Sequence, residues 1–286
     1  MNKWVVIFNL FSLLSLAFCL TASVRSLKGT PTLFVDEIPH TPLIYHAVRE
    51  NERTFHTIGI AKKQGFDLIG YADIYAWITC PGEEFDYHWV DEKIDKILAL
   101  NPNALLILRV GVATPDWWKN EHPEAIMVFK KLENGKWVDV KEVVTIGGKE
   151  GISVASPEWK KDAVEALKKL VKHLETKYGD HIIGYMPVAQ NTGEWFYYDA
   201  GGAKLNCCEP VFEEAFRQWL KEKYKSEENL RKAWNEPSLT FDSVSLPSPE
   251  ERMNATYGFF RDPGKERKLI DFHEFQNIAM ASALED

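Results

Sequence analysis

The sequence predicts an α/β fold in which short parallel strands alternate with helices. Short, continuously apolar runs recur along the chain ("FDLIGY", 66–71; "ALLILRV", 104–110; "HIIGYMPVA", 181–189). Each is preceded by a stretch whose apolar residues repeat with helical spacing. Runs that are apolar throughout mark strands buried on both faces, and helical crossovers between them make the strands parallel. An open sheet and a closed barrel both satisfy this pattern. Three features favour the barrel. No glycine-rich nucleotide loop follows a strand, the segments after the strands are long (72–88, 111–155, 189–208), and those before them are short. A β/α barrel carries its active site on the loops that follow its strands, and those loops grow. The predicted architecture is therefore a (β/α) TIM-type barrel.

The elements follow in order. Lys3, the uncharged run Trp4 to Leu20 and the small residues Thr21, Ala22 and Ser23 read as a secretory signal peptide over residues 1–23. The lesser alternative is an uncleaved membrane anchor, for which the run is short. Residues 24–286 then form the barrel domain. Thr32 to His46 reads as short extended pieces broken by Pro39 and Pro42, with "PLIYHA" as the first strand. Phe55, Ile58, Gly59 and Lys62 belong to a helix that stops near Gly65. Val90, Ile94, Ile97 and Leu98 share one face of the next helix, which Pro102 closes. Asn134-Gly135 inside "KLENGKWVDV" is a two-residue hairpin turn, predicting a small β-hairpin inserted after the third strand.

The clearest helix begins at Ser156 as N-cap and Pro157 as first helical residue, and stops at Gly179. Ala163, Ala166, Leu167, Leu170, Val171 and Leu174 form its buried stripe. After the fourth strand come helices over about 209–224 and 226–234, a loop, and a last helix over about 263–284. A full barrel has eight strands in about 250 residues. Only four are legible here, so the barrel is read as incomplete: about four β/α units plus strand-end insertions.

A formal net charge of −8, spread along the chain, argues against nucleic acid as a partner, because phosphate binding needs a basic stripe. The four cysteines (Cys19, Cys80, Cys207, Cys208) include no CxxC pair and no disulfide framework, so neither a metal site nor a cofactor is expected. The ten tryptophans suit a cleft for a ring-shaped, partly apolar ligand such as a sugar, although most such rings fill core.

Two glutamates compete for a catalytic role. Glycoside hydrolysis uses one carboxyl group to protonate the leaving oxygen and another to attack the anomeric carbon or activate water. The acid works best in a partly apolar, aromatic-lined pocket that disfavours its charged form. Glu194 lies just past the fourth strand, beside Gln190 and Asn191 and ahead of Trp195, Phe196, Tyr197 and Tyr198. Glu236 sits in an Asn-Glu-Pro motif, but it follows a helix, "SEENLRKAW", and Pro237 ends that helix. Glu194 is the candidate.

Three blocks carry a resemblance: "LLILRVGVATPDWWKNEHPE" (105–124), the run from Val154 to Tyr198, and "EEAFRQWLKEKYKSEENLRKAWNEPSLTF" (213–241). In this order they resemble glycoside hydrolase family 42, the β-galactosidase family, over roughly residues 40–285. The resemblance implies a retaining glycosidase acting on β-galactosides or related β-glycosides, with Glu194 as acid/base. It departs from the family at one point: Asn191 stands three residues before the glutamate, where the family has Asn adjacent. The family's nucleophile, a glutamate after a seventh strand, has no counterpart in these residues.

Supporting candidates are Arg109 at the end of the third strand, which either holds substrate or braces a loop, and Trp117 and Trp118 after Pro115, one to stack on a sugar and the other in the core. Trp195, Tyr197 and Asp73 complete the substrate set. The expected partner is a carbohydrate, with a second chain or a missing C-terminal half completing the barrel; an oligomer is compatible with the family. Two alternatives remain open: a non-catalytic truncated or split barrel fragment, and a sugar-binding surface protein.

Overall fold

The computed structural model describes residues 20–77, 86–112, 114–145, 148–190, 193–199, 203–254, 256–258 and 260–285. The chain opens with an antiparallel meander, β1 (Ala22–Leu27), β2 (Thr30–Val35) and β3 (Ile38–His40). Only loose extended pieces were expected here, because these strands lie largely exposed and show no apolar periodicity. β1 begins inside the segment assigned to a signal peptide, and residues 1–19 of that segment lie outside the described residues.

β4 (Tyr45–Ala47), α1 (Glu52–Lys63), β5 (Leu68–Tyr75), α2 (His88–Leu100) and β6 (Leu105–Gly111) then establish the β/α alternation. Asn51 caps α1 by accepting the Thr54 N–H at 2.9 Å, and Gly65, at φ +78°, turns the chain after it. The insertion after β6 contains α3 (Asp116–Glu121), β7 (Phe129–Glu133), β8 (Lys136–Val140), β9 (Glu142–Thr145) and β10 (Gly148–Glu150). The expected hairpin is β7–β8, turning through Asn134 and Gly135, both at positive φ.

α4 (Pro157–Tyr178) carries the chain to β11 (Ile182–Val188). The short β12 (Lys204–Leu205) joins β7 and β8 in a second small sheet. Four helices follow: α5 (Pro210–Tyr224), α6 (Glu227–Trp234), α7 (Pro249–Met253) and α8 (Arg267–Glu285). α7 was not anticipated; Ser248 and Glu251 form its capping box. α8 starts at Arg267 rather than near 263, because Asp262 and Gly264 form a turn whose backbone N–H and carbonyl are bonded to Glu266. Among the described residues, no helix is long and apolar enough to cross a membrane.

The central sheet has the order β11-β6-β5-β4, parallel throughout. Strands consecutive in this repeat are neighbours in space, the order of a β/α barrel, and four of its eight strands are present among the described residues. Register assigns the faces. Ala47, Tyr71, Leu108 and Tyr185 lie in one row, and Tyr185 donates to Glu175 of α4 at 2.7 Å, marking the helix side. His46, Gly70, Ile107 and Arg109 lie on the opposite face, the one a closed barrel turns inward. That face is not fully buried as the apolar runs implied: His46 is exposed and Ile107 and Arg109 are half-buried. Four strands do not curl far enough to cover their own inner face.

Glu209 joins the insertion to α5. It is fully buried, and its Oε2 accepts the Val128 N–H at 3.0 Å. Burial raises its pKa above the ordinary 4.5, with the hydrogen bond offsetting part of the effect. The folded protein therefore holds this proton more tightly than the unfolded chain. The associated stability is complete at acid pH and is lost as pH rises through the elevated value. Glu209→Gln is expected to flatten the decline of stability above about pH 4.5, measured by urea denaturation across pH.

Candidate active site

β5, β6 and β11 end together, with Tyr75, Gly111 and Val188 in one row, whereas β4 stops earlier, at Ala47 opposite Tyr71; the segments after β6 and β11 meet above them. β11 runs out into a compact turn. The Gly193 N–H donates to the Gln190 carbonyl and the Trp195 N–H to the Ala189 carbonyl, each at 3.2 Å. Gln190, Gly193 and Trp195 all have positive φ (+62°, +72° and +56°), a conformation unfavourable for the two larger residues, which the surrounding contacts hold. Arg109 reaches over from β6 and donates from Nη2 to the Gly193 carbonyl at 2.8 Å. Trp195 Nε1 donates back to the Pro187 carbonyl at 3.1 Å. Glu194 is thereby presented at the solvent-exposed crest of a turn clamped on both sides.

Gly193 is required for more than its φ. A Cβ there would lie 2.7 Å from Arg109 Nη2 and 3.3 Å from the Val188 side chain. Gly193→Ala is expected to destabilise the protein by about 1–2 kcal/mol and to displace Glu194, measured by thermal unfolding. Gly184 in β11 has ordinary φ and open space around it, so Gly184→Ala is the matched control.

The remaining candidates separate into groups. Arg109 braces the turn, through a carbonyl rather than an ion pair in this contact. Gln190 lies beneath the turn, 7% exposed, with Nε2 donating to the Ile152 carbonyl at 3.1 Å. It faces the insertion, not the open cleft. Asn191 lies outside the described residues. Trp118 is the core member of its pair: Nε1 donates to Asp162 of α4 at 2.9 Å, and the ring stacks on His122. Trp117 is half-buried, edge-on to Trp77. Trp195 is half-buried beside Glu194. Tyr197 is tied to α8 through its hydroxyl, which donates to the Gln276 carbonyl at 2.7 Å. Asp73 lies in β5 near its C-terminal end. Glu236 follows α6, where Asn235 adopts the left-handed cap conformation and the Glu236 N–H closes the helix on the Arg231 carbonyl. α6 packs on α5 and α8, so this glutamate serves a helix end.

The sequence reading missed Thr114 and Lys119, both buried where the insertion leaves β6, and the inward role of Trp159. Trp159 falls on the apolar stripe of α4 and so carried no signal beyond core. A lysine in a short helix reads as a surface residue until the insertion folds over it.

A family model described as beta-galactosidase, glycoside hydrolase family 42, matches residues 49–285. A β-galactosidase of Alicyclobacillus acidocaldarius is 27% identical over 168 residues, 57% of this chain and 21% of that protein. One from Bifidobacterium bifidum is 25% identical over 228 residues, 78% of this chain and 29% of that protein. The chain thus spans between a fifth and three-tenths of the length of these curated relatives. Among solved structures, a β-galactosidase from Bacillus circulans sp. alkalophilus superposes with a TM-score of 0.56 at 21% identity, covering 84% of this chain and 33% of that one. The catalytic domain of a Paenibacillus polymyxa β-amylase superposes with a TM-score of 0.58 at 14% identity, covering 84% and 61% respectively. At these identities the structural matches speak to the fold.

Proposed function

Because the chain belongs to glycoside hydrolase family 42, the β-galactosidase family, we propose that it carries the acid/base side of a retaining site for β-galactosides or related β-glycosides, with Glu194 as acid/base. The supporting observation is the placement of Glu194 after the fourth barrel strand, on a turn held by Arg109. In the first step its carboxyl group gives a proton to the glycosidic oxygen as the bond to the anomeric carbon breaks. In the second, the resulting carboxylate takes a proton from the water that releases the sugar. Arg109 fixes the height of the turn, while the Trp195 ring, expected to line the sugar site, packs instead toward α4 and α8. The nucleophile comes from polypeptide beyond these four strands, a partner chain or further barrel strands. Hydrolysis of β-galactosides that is lost in Glu194→Gln is the test.

A signal peptide over residues 1–23 directs the protein out of the cytoplasm in this reading. An intact mass of exported protein that retains those residues would refute cleavage. The open inner face of the sheet favours a second reading, sugar binding without turnover. Calorimetric binding of galactose to a chain that releases no product would distinguish it.

A further inference from the structure

The turn that carries Glu194 rests on a small cavity, partly open to solvent, between the ends of β6 and β11, the insertion and the first turn of α4. Thr114, Lys119, Glu150, Trp159, Gln190 and Tyr198 contribute to its wall, and its volume is about 20 Å³. Two polar atoms of these residues are buried and have no partner in the protein: Trp159 Nε1, a donor, and Gln190 Oε1, an acceptor. Both side chains are nearly buried, Trp159 at 3% and Gln190 at 7% exposure.

The amide of Gln190 has its orientation set independently of the cavity. Nε2 donates to the Ile152 carbonyl at 3.1 Å, and a flipped amide would set oxygen against oxygen there. Oε1 is therefore committed to its present side. The two atoms make opposite demands. A cation would satisfy only the carbonyl oxygen, and an anion only the indole N–H. A group that both donates and accepts, no larger than one heavy atom, satisfies both. A site for one water needs only about 10–15 Å³ of such volume and two or more polar partners.

We propose that this cavity binds a single structural water, which accepts from Trp159 Nε1 and donates to Gln190 Oε1 and so couples α4 to the turn bearing Glu194. Gln190 is the first residue of that turn, and its carbonyl already receives the Gly193 N–H. Through the water, the side chain of the same residue is tied to α4, while its amide nitrogen is tied to the insertion. Gln190 is on this account a positioning residue rather than a sugar ligand. The water site does not depend on the glycosidase reading.

The test is a high-resolution crystal structure of the native chain, without sugar and after soaking in galactose. The expected result is one ordered oxygen within about 2.7–3.2 Å of both atoms, unchanged by the sugar. An empty cavity, or either atom turned to a protein partner, would overturn the proposal. So would a galactose hydroxyl replacing the oxygen, which would make the cavity part of the sugar cleft. A thermal double-mutant cycle gives a solution measurement. Trp159→Phe and Gln190→Met should each lower the melting temperature, and the pair together should cost clearly less than the sum. Additive losses would count against a shared water.

Discussion

In the assembly that supplies the nucleophile, Glu194→Gln is expected to reduce hydrolysis of a β-galactoside with a sugar leaving group by ~10²-fold or more, the scale of losing general acid catalysis. The amide keeps the shape of the side chain and can still hydrogen-bond the glycosidic oxygen, but it has no proton to transfer. The loss should therefore fall on kcat, with KM little changed. It should also depend on the leaving group. An alkoxide from a sugar needs protonation to depart, whereas a nitrophenolate departs unaided, so the variant should keep far more of its activity on a nitrophenyl galactoside. A glutamate that merely capped the turn would change both substrates alike and would lower the melting temperature as well. Glu236→Gln, at the end of α6, should leave both rates within about twofold, since surface changes away from a site shift free energies by only a few tenths of a kcal/mol. The reverse pattern would move the acid/base to Glu236.

Much of the fold could be read along the chain because its signals are local. α4 runs from Pro157 to Tyr178, as the Ser156 cap and Gly179 implied, and β6 and β11 fall within one or two residues of their apolar runs. The turn at Asn134-Gly135 announced the β7–β8 hairpin. The exposed meander of residues 22–40 gave no such signal, because strands that bury little leave no apolar periodicity to detect. The site was half legible. A carboxylate just past a buried strand pointed to Glu194. The inward course of Gln190 depends on a left-handed backbone that no residue type encodes reliably, and on a partner, Ile152, 38 residues away. The division of labour between Trp117 and Trp118 likewise turns on Asp162, 44 residues from Trp118. Contacts made across the chain decide which aromatic is wall and which is core.

Asp271 shows the same limit and carries the largest expected loss of stability. In sequence it is an acidic residue early in the last helix, with nothing to set it apart. In the structure it is fully buried and accepts four groups: Tyr224 Oη at 2.6 Å, Trp234 Nε1 at 2.7 Å, Arg267 Nη2 at 2.9 Å and Lys223 Nζ at 3.0 Å. These donors come from α5, α6 and α8, so one carboxylate holds three helices together. Asp271→Ala would leave an indole N–H and a phenol without their acceptor and two cations, Lys223 and Arg267, with Glu274 as their remaining counter-charge. The expected cost is about 3–5 kcal/mol, the range for removing one partner of a buried ionic network. Asp271→Asn should cost less but remain clearly destabilising, because one end of the amide is itself a donor among four donors. Lys223→Met should cost least of the three, since Arg267 still balances the charge and Lys223 is partly exposed. Urea denaturation followed by circular dichroism gives the order directly; equal effects for all three would show that the site does not act as a hub. α8 also holds the site, through Tyr197 and the Gln276 carbonyl. Asp271→Ala should therefore lose stability and activity together, whereas Glu194→Gln should lose activity alone.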